Sequence, residues 1–425
     1  MPGDRRAAAC PSGQAHVLHD GGTGWDATAR AASFLPPLAP FGITRTGDLT
    51  DLDVIGIPVW FAVRPNSRSL SVSQGKGLTH EQARISAVME SVEGAVAEQT
   101  RPLVAEFGTP TEMTARGHKL VPVLEMARCK SASFDPGRQR AWVRGVEYGT
   151  GQPIFAPYEL VGLDMRVDFP WDYDTFRVSS NGLAAGPDFE FAAVRALFEV
   201  IERDAMAPVE MFGHHSAFAW HLSWQPAIHA GLDEAVGKVR AAGLEPRFYG
   251  IASKIGLPVV AAVITRPVLN ARGAGEQLSG GFACRPKAAD AALSALLEAV
   301  QSRLTNIAGA RDDMDASQYE AGGGSLPPLK ADALPLSAFA ALHPFSSSPK
   351  DTGTLAGIAA ALKTAGYPEI FLFDLPGLVE GVSVVRALVP GLKSFVEGEA
   401  ARFGVDDLIA LTGDWCGVLP TGDLT

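Results

Sequence analysis

Ala196-Leu-Phe-Glu-Val-Ile-Glu-Arg-Asp204 is the stretch on which the reading of this chain turns. Leu197, Phe198, Val200 and Ile201 supply a core-forming surface, and Glu199 and Glu202 interrupt it. Carboxylates three residues apart project from one helical face. Placed among core residues they are costly unless a cation or an arginine compensates them. Taken alone, such a pair has two readings. One is a solvated helix face with local Glu–Arg pairing. The other is half of a site for a hard cation such as Mg²⁺, which prefers oxygen ligands and bridges protein to phosphate. Pro187 fits a first helical position, so the helix is expected from there to about Ala207.

Two more helices repeat the theme. Thr79-His-Glu-Gln82 reads as a capping box and opens a helix to about Glu98 that carries Ser86, Glu90 and Glu93. A third is expected from about Pro286 to Ile307, with Glu298, Gln301 and Arg303. Gly75-Lys-Gly77 lacks the GxxxxGK[ST] pattern of a P-loop, so Lys76 is either a phosphate contact or part of a turn. Ile57-Pro-Val-Trp-Phe-Ala-Val63 reads as a strand, and residues 140–180 as strands and loops. Two later stretches resemble each other: Val239 to Val260 and Lys363 to Val385 each read helix, glycine stop, strand, loop, strand. This pattern predicts α/β layering.

The chain has 425 residues, 47% hydrophobic, which is ample for a core. Length alone fits two to three domains or one large α/β unit. With 36 basic and 47 acidic residues the net charge is −11, which argues against a broad basic surface and non-specific nucleic-acid binding. Cys10, Cys129, Cys284 and Cys416 form no CxxC pair; this argues against a zinc ribbon and a disulfide scaffold and fits a reducing cytosol. Met1 to Ala9 has two arginines with no apolar stretch behind them, and no apolar run is long enough to span a bilayer. The expectation is a cytoplasmic protein with no membrane partner. Residues 1–50 are read as an N-terminal extension, 51–400 as the main domain with a flexible insertion near 315–353, and 401–425 as a C-terminal segment.

Taken together, several blocks resemble the YcaO family. They are Arg64-Pro-Asn66, Ser73-Gln-Gly-Lys-Gly-Leu-Thr79, Ser86-Ala-Val-Met-Glu-Ser-Val-Glu93, Ser179-Ser-Asn-Gly-Leu-Ala-Ala-Gly186, Ala196 to Ala205, Leu297 to Thr305, Ala308 to Asp313 and Val389-Pro-Gly391. They follow the family's order from about residue 55 to 395, and their wording is closest to the branch that works with TfuA-like partner proteins. The resemblance implies an α/β fold of mixed sheets flanked by helices, with ATP held between acidic helices. It implies ATP- and Mg²⁺-dependent phosphorylation of a peptide's backbone amide oxygen. Attack by a Cys, Ser or Thr side chain of the substrate then gives an azoline, and external sulfide a thioamide. Carried over by position, Glu90, Glu93, Glu199 and Glu202 are metal ligands. Lys76, Ser86, Arg195, Arg203, Gln301, Arg303 and Arg311 are nucleotide-binding residues. The implied partners are a precursor peptide, a TfuA-like protein and a second copy of the chain.

The chain departs from the pattern in places. Gly94 follows Glu93 where the cyclodehydratase branch has arginine. Ala184, Phe191 and Arg195 stand where relatives often carry Ser, Glu and Gln or His, and Glu190 substitutes only if the helix register shifts. Gly281 to Pro286 lacks a common His and Asp, and the C-terminus lacks the alternating-proline tail of the azoline-forming branch, which tilts toward thioamide chemistry. Two functional expectations follow: an active peptide-modifying enzyme, or a catalytically degenerate scaffold that binds a peptide or partner enzyme. His214, His215 and His221 lack zinc-like spacing to other ligands, Cys284 has no base defined by sequence, and Asp312-Asp313 reads as a loop or cap.

Overall fold

The computed structural model describes residues 34–126, 134–166, 171–172, 175–176, 178–212, 219–265, 278–309, 311, 333–343 and 353–393. A small antiparallel sheet comes first, in the order β1 (Arg45–Asp48), β2 (Val59–Val63), β3 (Val72–Lys76). A six-stranded sheet runs in the order β4 (Val104–Gly108), β5 (Arg140–Glu147), β13 (Phe371–Leu375), β14 (Ser383–Leu388), β7 (Leu183–Gly186), with β6 (Pro153–Pro157) also paired to β5. A five-stranded sheet has the order β11 (Ser279–Cys284), β10 (Val259–Thr265), β9 (Glu245–Ile251), β8 (Ala219–Ser223), β12 (Leu334–Pro335).

Three helices join these sheets, and each spans a different pair. Helix α1 (His80–Ala97) lies on β2 and β3 and also meets β7 and β14. Helix α2 (Phe189–Phe212) lies on β7 and β14 and meets β11. After α3 (Ala230–Ala241) on β9, helix α4 (Ala288–Ala308) lies on β10 and β11 and meets β3. Two further helices, α5 (Leu336–Ala341) and α6 (Leu355–Thr364), pack on α4 and α2 respectively. The apolar faces of α1, α2 and α4 fill three separate cores: Val88, Val92 and Val96 beside Trp142 and Phe373; Leu197, Phe198 and Ile201 beside Ile251, Ile358 and Val385; Leu296, Val300 and Leu304 beside Val239, Phe248 and Val260. Each such buried side chain contributes about 1.5–3 kcal/mol.

The helix starts follow local chemistry. Thr79 accepts the Gln82 N–H at 3.2 Å, but the Gln82 side chain takes the N–H of Leu78 at 3.1 Å. The reciprocal half of the expected capping box has therefore slipped one residue upstream. Helix α2 starts two residues after Pro187, capped by Asp188, which accepts the Phe191 N–H at 2.9 Å. It continues past Ala207 through Pro208 to Phe212. The two similar stretches both fold as foreseen. Gly243 (φ 73°) ends α3 ahead of the β9–β10 hairpin, and Gly366 (φ 93°) ends α6 ahead of β13–β14.

Residues Ala39 to Thr50 belong to the folded body: β1 pairs with β2, and Phe41, Ile43 and Leu49 are buried. The 315–353 stretch lies largely outside the described residues, but its described part is no loose excursion. Leu334–Pro335 pairs in parallel with β8, and Phe339 is fully buried, because its aromatic surface fills the third core. Residues 1–33 and 394–425, with most of the expected terminal segments, lie outside the described residues. No described helix is long and apolar enough to cross a membrane.

Helices α1 and α4 approach their strands closely at Gly75 and Gly281. A Cβ at Gly75 would stand 2.0 Å from the Ala87 nitrogen; one at Gly281 would stand 2.4 Å from both the Ala295 oxygen and the Ala299 nitrogen. Backbone atoms in a packed helix cannot swing aside, so Gly281→Ala is expected to cost about 1–3 kcal/mol, read as a lower urea midpoint. An unchanged midpoint would show that α4 lifts off β11 freely.

Candidate active site between three acidic helices

Because each helix bridges two sheets, the faces of α1, α2 and α4 turned away from the cores meet in one cleft. Glu90 and Glu93 come from α1, Glu199, Glu202 and Arg203 from α2, and Glu298 from α4. Their mutual electrostatic influence records the convergence: Glu90 feels Glu199 and Glu298, and Glu202 feels Glu298 and Glu199. Backbone donors fix two of the carboxylates. The Ala185 N–H donates to Glu93 at 2.8 Å, and the Cys284 N–H donates to Glu202 at 3.3 Å.

The cations are shared unequally. Lys76, at the end of β3, donates to Glu298 at 2.9 Å. Arg203 stands 3.9 Å from both Glu199 and Glu202, beyond a direct hydrogen bond, and its Nε is buried with no hydrogen-bond partner among the described residues. Behind Arg203 a cavity of about 30 Å³ opens between Asn181, Val200, Leu388 and Lys393, room for about one water molecule. Arg386 is 1% exposed and gives its guanidinium to the carbonyls of Val161, Asn181 and Ser179. It thereby holds the Ser179–Gly182 loop, and its charge reaches Glu199 from behind.

Desolvation in the cleft sets the protonation of the acids. It raises Glu90 to about 7 against the opposing charges of Lys76 and Arg311, with Glu298 and Glu199 adding to the rise. It holds Glu93 well above the usual carboxylate range despite the Ala185 N–H, with Glu90 and Glu199 adding to the rise. It also raises Glu199, against Arg203 and Arg386. Glu202 and Glu298 divide the burden. Desolvation, then the Glu298 charge, raises Glu202; desolvation acts upward on Glu298 too, but Lys76, Arg203 and Arg285 outweigh it and hold Glu298 low. Glu199 and Glu298 keep 27% of their side-chain surface open, so solvent entering at the mouth moderates these shifts.

Among the described residues no three acidic, histidine or cysteine side chains stand close enough to cage an ion. Mg²⁺ does not require a closed protein cage, because it retains waters and takes substrate phosphate oxygens alongside one or two carboxylates. The donor set is all oxygen, and its desolvated acids hold protons that a dication would displace. The residues present fit Mg²⁺ and a phosphate chain.

The other expected residues fall into groups. Ser86 is half-buried on α1, one turn before Glu90. Arg195 is exposed on α2, one turn before Glu199. Arg311, just beyond α4, acts on Glu90 by its charge. Gln301 reaches the Gln74 carbonyl at 3.4 Å and ties α4 to β3. Arg303 is not brought to the acids: it grips Asp53 with two bonds of 2.8 and 3.1 Å. Gly94 turns away from the cleft toward Arg64, which is paired with Glu98 at 2.7 Å. Glu190 is exposed beside Tyr148, so the helix register does not bring it to the place of Phe191. Ala184 is buried in the second core. Cys284 is fully buried, which pushes its thiol up and leaves it inert. His221 faces Tyr249 across two strands. His214, His215, Asp312 and Asp313 lie outside the described residues. Sequence reasoning placed Glu298 on the third helix but gave it no role, although its spacing to Gln301 puts both on one face. It also passed over Arg285 and Arg386; the only signal for Arg386 is an arginine inside the apolar run Val384-Val-Arg-Ala-Leu388.

A family model described as YcaO cyclodehydratase, ATP- and Mg²⁺-binding, matches residues 74–393, more than half of the chain. The chain belongs to the YcaO family. ATP and Mg²⁺, expected from the resemblance, are the ligands that the family's description names. A protein in the tfuA 3′ region of Rhizobium leguminosarum bv. trifolii is 34% identical over 388 residues, 90% of this chain and 91% of that protein. Among solved structures, a YcaO from Methanopyrus kandleri bound with AMPPCP and Mg²⁺ is similar with a TM-score of 0.61 at 23% identity, covering 85% of this chain and 89% of that one. A heterocyclase in complex with substrate and cofactor gives 0.67 at 18% identity, covering 94% of this chain and 56% of that one. Both likenesses are of fold, and they bear out the mixed α/β YcaO architecture.

The raised acids link stability to pH. In the unfolded chain Glu90 ionises near 4.5, whereas in the fold it keeps its proton to about 7. Folding therefore takes up protons in that window, and stability falls as pH rises through it. Glu93, Glu199 and Glu202 act in the same direction, and Glu298 opposes them. The metal-free protein is expected to lose denaturant resistance from about pH 5 to 7, with Mg²⁺ restoring it at the upper end and Glu202→Gln flattening the slope. A profile in which stability rises across this range would show that the acids are ordinarily solvated.

Proposed function

We propose that this YcaO protein is an ATP- and Mg²⁺-dependent enzyme that phosphorylates a backbone amide oxygen of a ribosomally made peptide. The observation that carries this reading is the meeting of carboxylates from three separate helices in one cleft. ATP supplies the phosphoryl group and Mg²⁺ neutralises its charge, turning a poor leaving oxygen into a good one. Glu90, Glu93, Glu199 and Glu202 would hold the metal. Lys76, Arg203 and Arg311 set positive charge about the acids, where phosphate oxygens require it. Arg386, through the Ser179–Gly182 loop, keeps β7 in place, and the Ala185 N–H keeps Glu93 aimed. These groups position and neutralise; the nucleophile at the amide carbon comes from the peptide or from sulfide.

The relative in the tfuA 3′ region favours a TfuA-like partner and, with it, thioamide over azoline as the product. A scaffold reading draws on Ala184, packed into the core, and on Phe191, which brings a ring where relatives often bring an acid. The retention of Glu90, Glu93, Glu199 and Glu202 in a desolvated cleft favours the enzyme, because such acids weaken a fold that has no use for them.

The test is co-expression with a small peptide encoded nearby and a TfuA-like protein, followed by mass spectrometry of the peptide. Oxygen-to-sulfur exchange is expected, with loss of water the mark of an azoline, and Glu199→Ala should abolish either. A peptide left unmodified while Mg²⁺ and ATP still bind would favour the scaffold. Absence of magnesium-dependent nucleotide binding would sink the enzyme.

A further inference from the structure

At the rim of the acidic cleft two arginines from different elements act on each other by charge. Arg195 lies on α2 with Glu199 and Glu202 four and seven residues further on, hence on one helical face. Arg285 follows Cys284, whose N–H is bound to Glu202, so the end of β11 is pinned beside the same acids. One arm of Arg285 donates to the Cys284 carbonyl at 2.7 Å. The Arg195 guanidinium lies 5.8 Å from the centre of the Phe191 ring, and that ring rests against Gly186. Among the described residues neither arginine makes an ion pair with a carboxylate.

Two guanidinium groups set side by side repel each other. The effect shows on Arg195, which the charge of Arg285, ahead of desolvation, brings down to about 10. Glu93, Glu202 and Glu199 oppose the fall without reversing it. The arrangement is unfavourable unless an anion shares the two groups. Planar, multi-donor guanidinium forks match phosphate oxygens two at a time. The acids on the same face disfavour a simple carboxylate ligand and admit a phosphate chain, which arrives partly neutralised by its metal.

Resting on the nucleotide reading of the cleft, we infer that Arg195 and Arg285 form an anion clamp that grips phosphate oxygens directly, without a bridging metal. Phe191 serves as the platform that holds Arg195 in position. The clamp takes over part of the neutralisation that elsewhere in the cleft falls to a divalent ion held by carboxylates.

Calorimetric titration with inorganic tripolyphosphate in EDTA tests this on the full chain. The wild type is expected to bind. Arg195→Gln and Arg285→Gln should each weaken binding by about tenfold or more, the usual scale for a hydrogen bond to a charged group. Arg195→Lys, which keeps the charge and loses the fork, should fall between, and Glu199→Gln should bind at least as well as wild type. Thermal melts establish that each variant is folded. No binding by the wild type in EDTA, or equal binding by both glutamine variants, overturns the clamp. A parallel titration with ATP and Mg²⁺ separates the two readings. Tripolyphosphate binding lost in the arginine variants, without any binding of ATP and Mg²⁺, supports the clamp and rejects the nucleotide site. Binding of ATP and Mg²⁺ unaffected by either substitution does the reverse.

Discussion

Repulsion among desolvated carboxylates is the constraint around which this molecule is arranged. Glu90, Glu93, Glu199, Glu202 and Glu298 come from three helices, and four of them are pushed up in pKa by loss of solvent. Removing one charge from water costs several kcal/mol when nothing pairs with it, so the cluster works against folding. What offsets it lies on the opposite faces of the same helices. Each of α1, α2 and α4 is anchored in its own apolar core and lies across two sheets, so the acidic faces cannot separate without opening a core. A single helix on a single sheet would relieve the repulsion by a small tilt. Three helices closing a ring between three sheets cannot do so.

Within the cluster the charges are graded rather than balanced. Lys76 bonds to Glu298 and holds it ionised, and the negative charge left there pushes the proton onto Glu202. Arg203 stands 3.9 Å from both Glu199 and Glu202, at the limit of an ion pair and beyond a hydrogen bond with either. The metal-free cleft is therefore only partly compensated: one carboxylate is satisfied, several retain protons, and one arginine is half-engaged. A dication displacing those protons and a phosphate chain drawing in the cations would complete the pairing together, which neither achieves alone.

Much of this was legible in the sequence because it is local. Helix starts, the glycine stops at Gly243 and Gly366, and the acidic pairs on α1 and α2 follow from spacing and capping within a few residues. The remainder depends on contacts between distant segments. Arg303 was expected to contact phosphate by its place in the family pattern, but five residues along a helix rotate its direction by about 140° from Glu298, toward Asp53, which is 250 residues away in sequence. Arg386 sits in an apolar strand with no local sign that three carbonyls await it. Arg285 gains its meaning only when the Cys284 N–H meets Glu202 on another helix. The capping box at Thr79 slipped because Leu78 offered its N–H to Gln82 equally near at hand, a choice that spacing rules do not resolve. The surface reading of 315–353 failed at Phe339 because composition averaged over a long stretch hides one short packed segment.

The departures from the family pattern acquire a physical sense once they are placed. Ala184 and Phe191 sit along the seam where β7 meets α2, and both pack there: Ala184 joins the second core and Phe191 lays its ring on Gly186. The same turn of helix adds Arg195 and sets it near Arg285. Arg195 thus brings positive charge to Glu93, Glu199 and Glu202, and Arg285 brings it to the same Glu202. A cleft that sets guanidinium groups beside carboxylates is matched to a chain of phosphates that arrives with its metal.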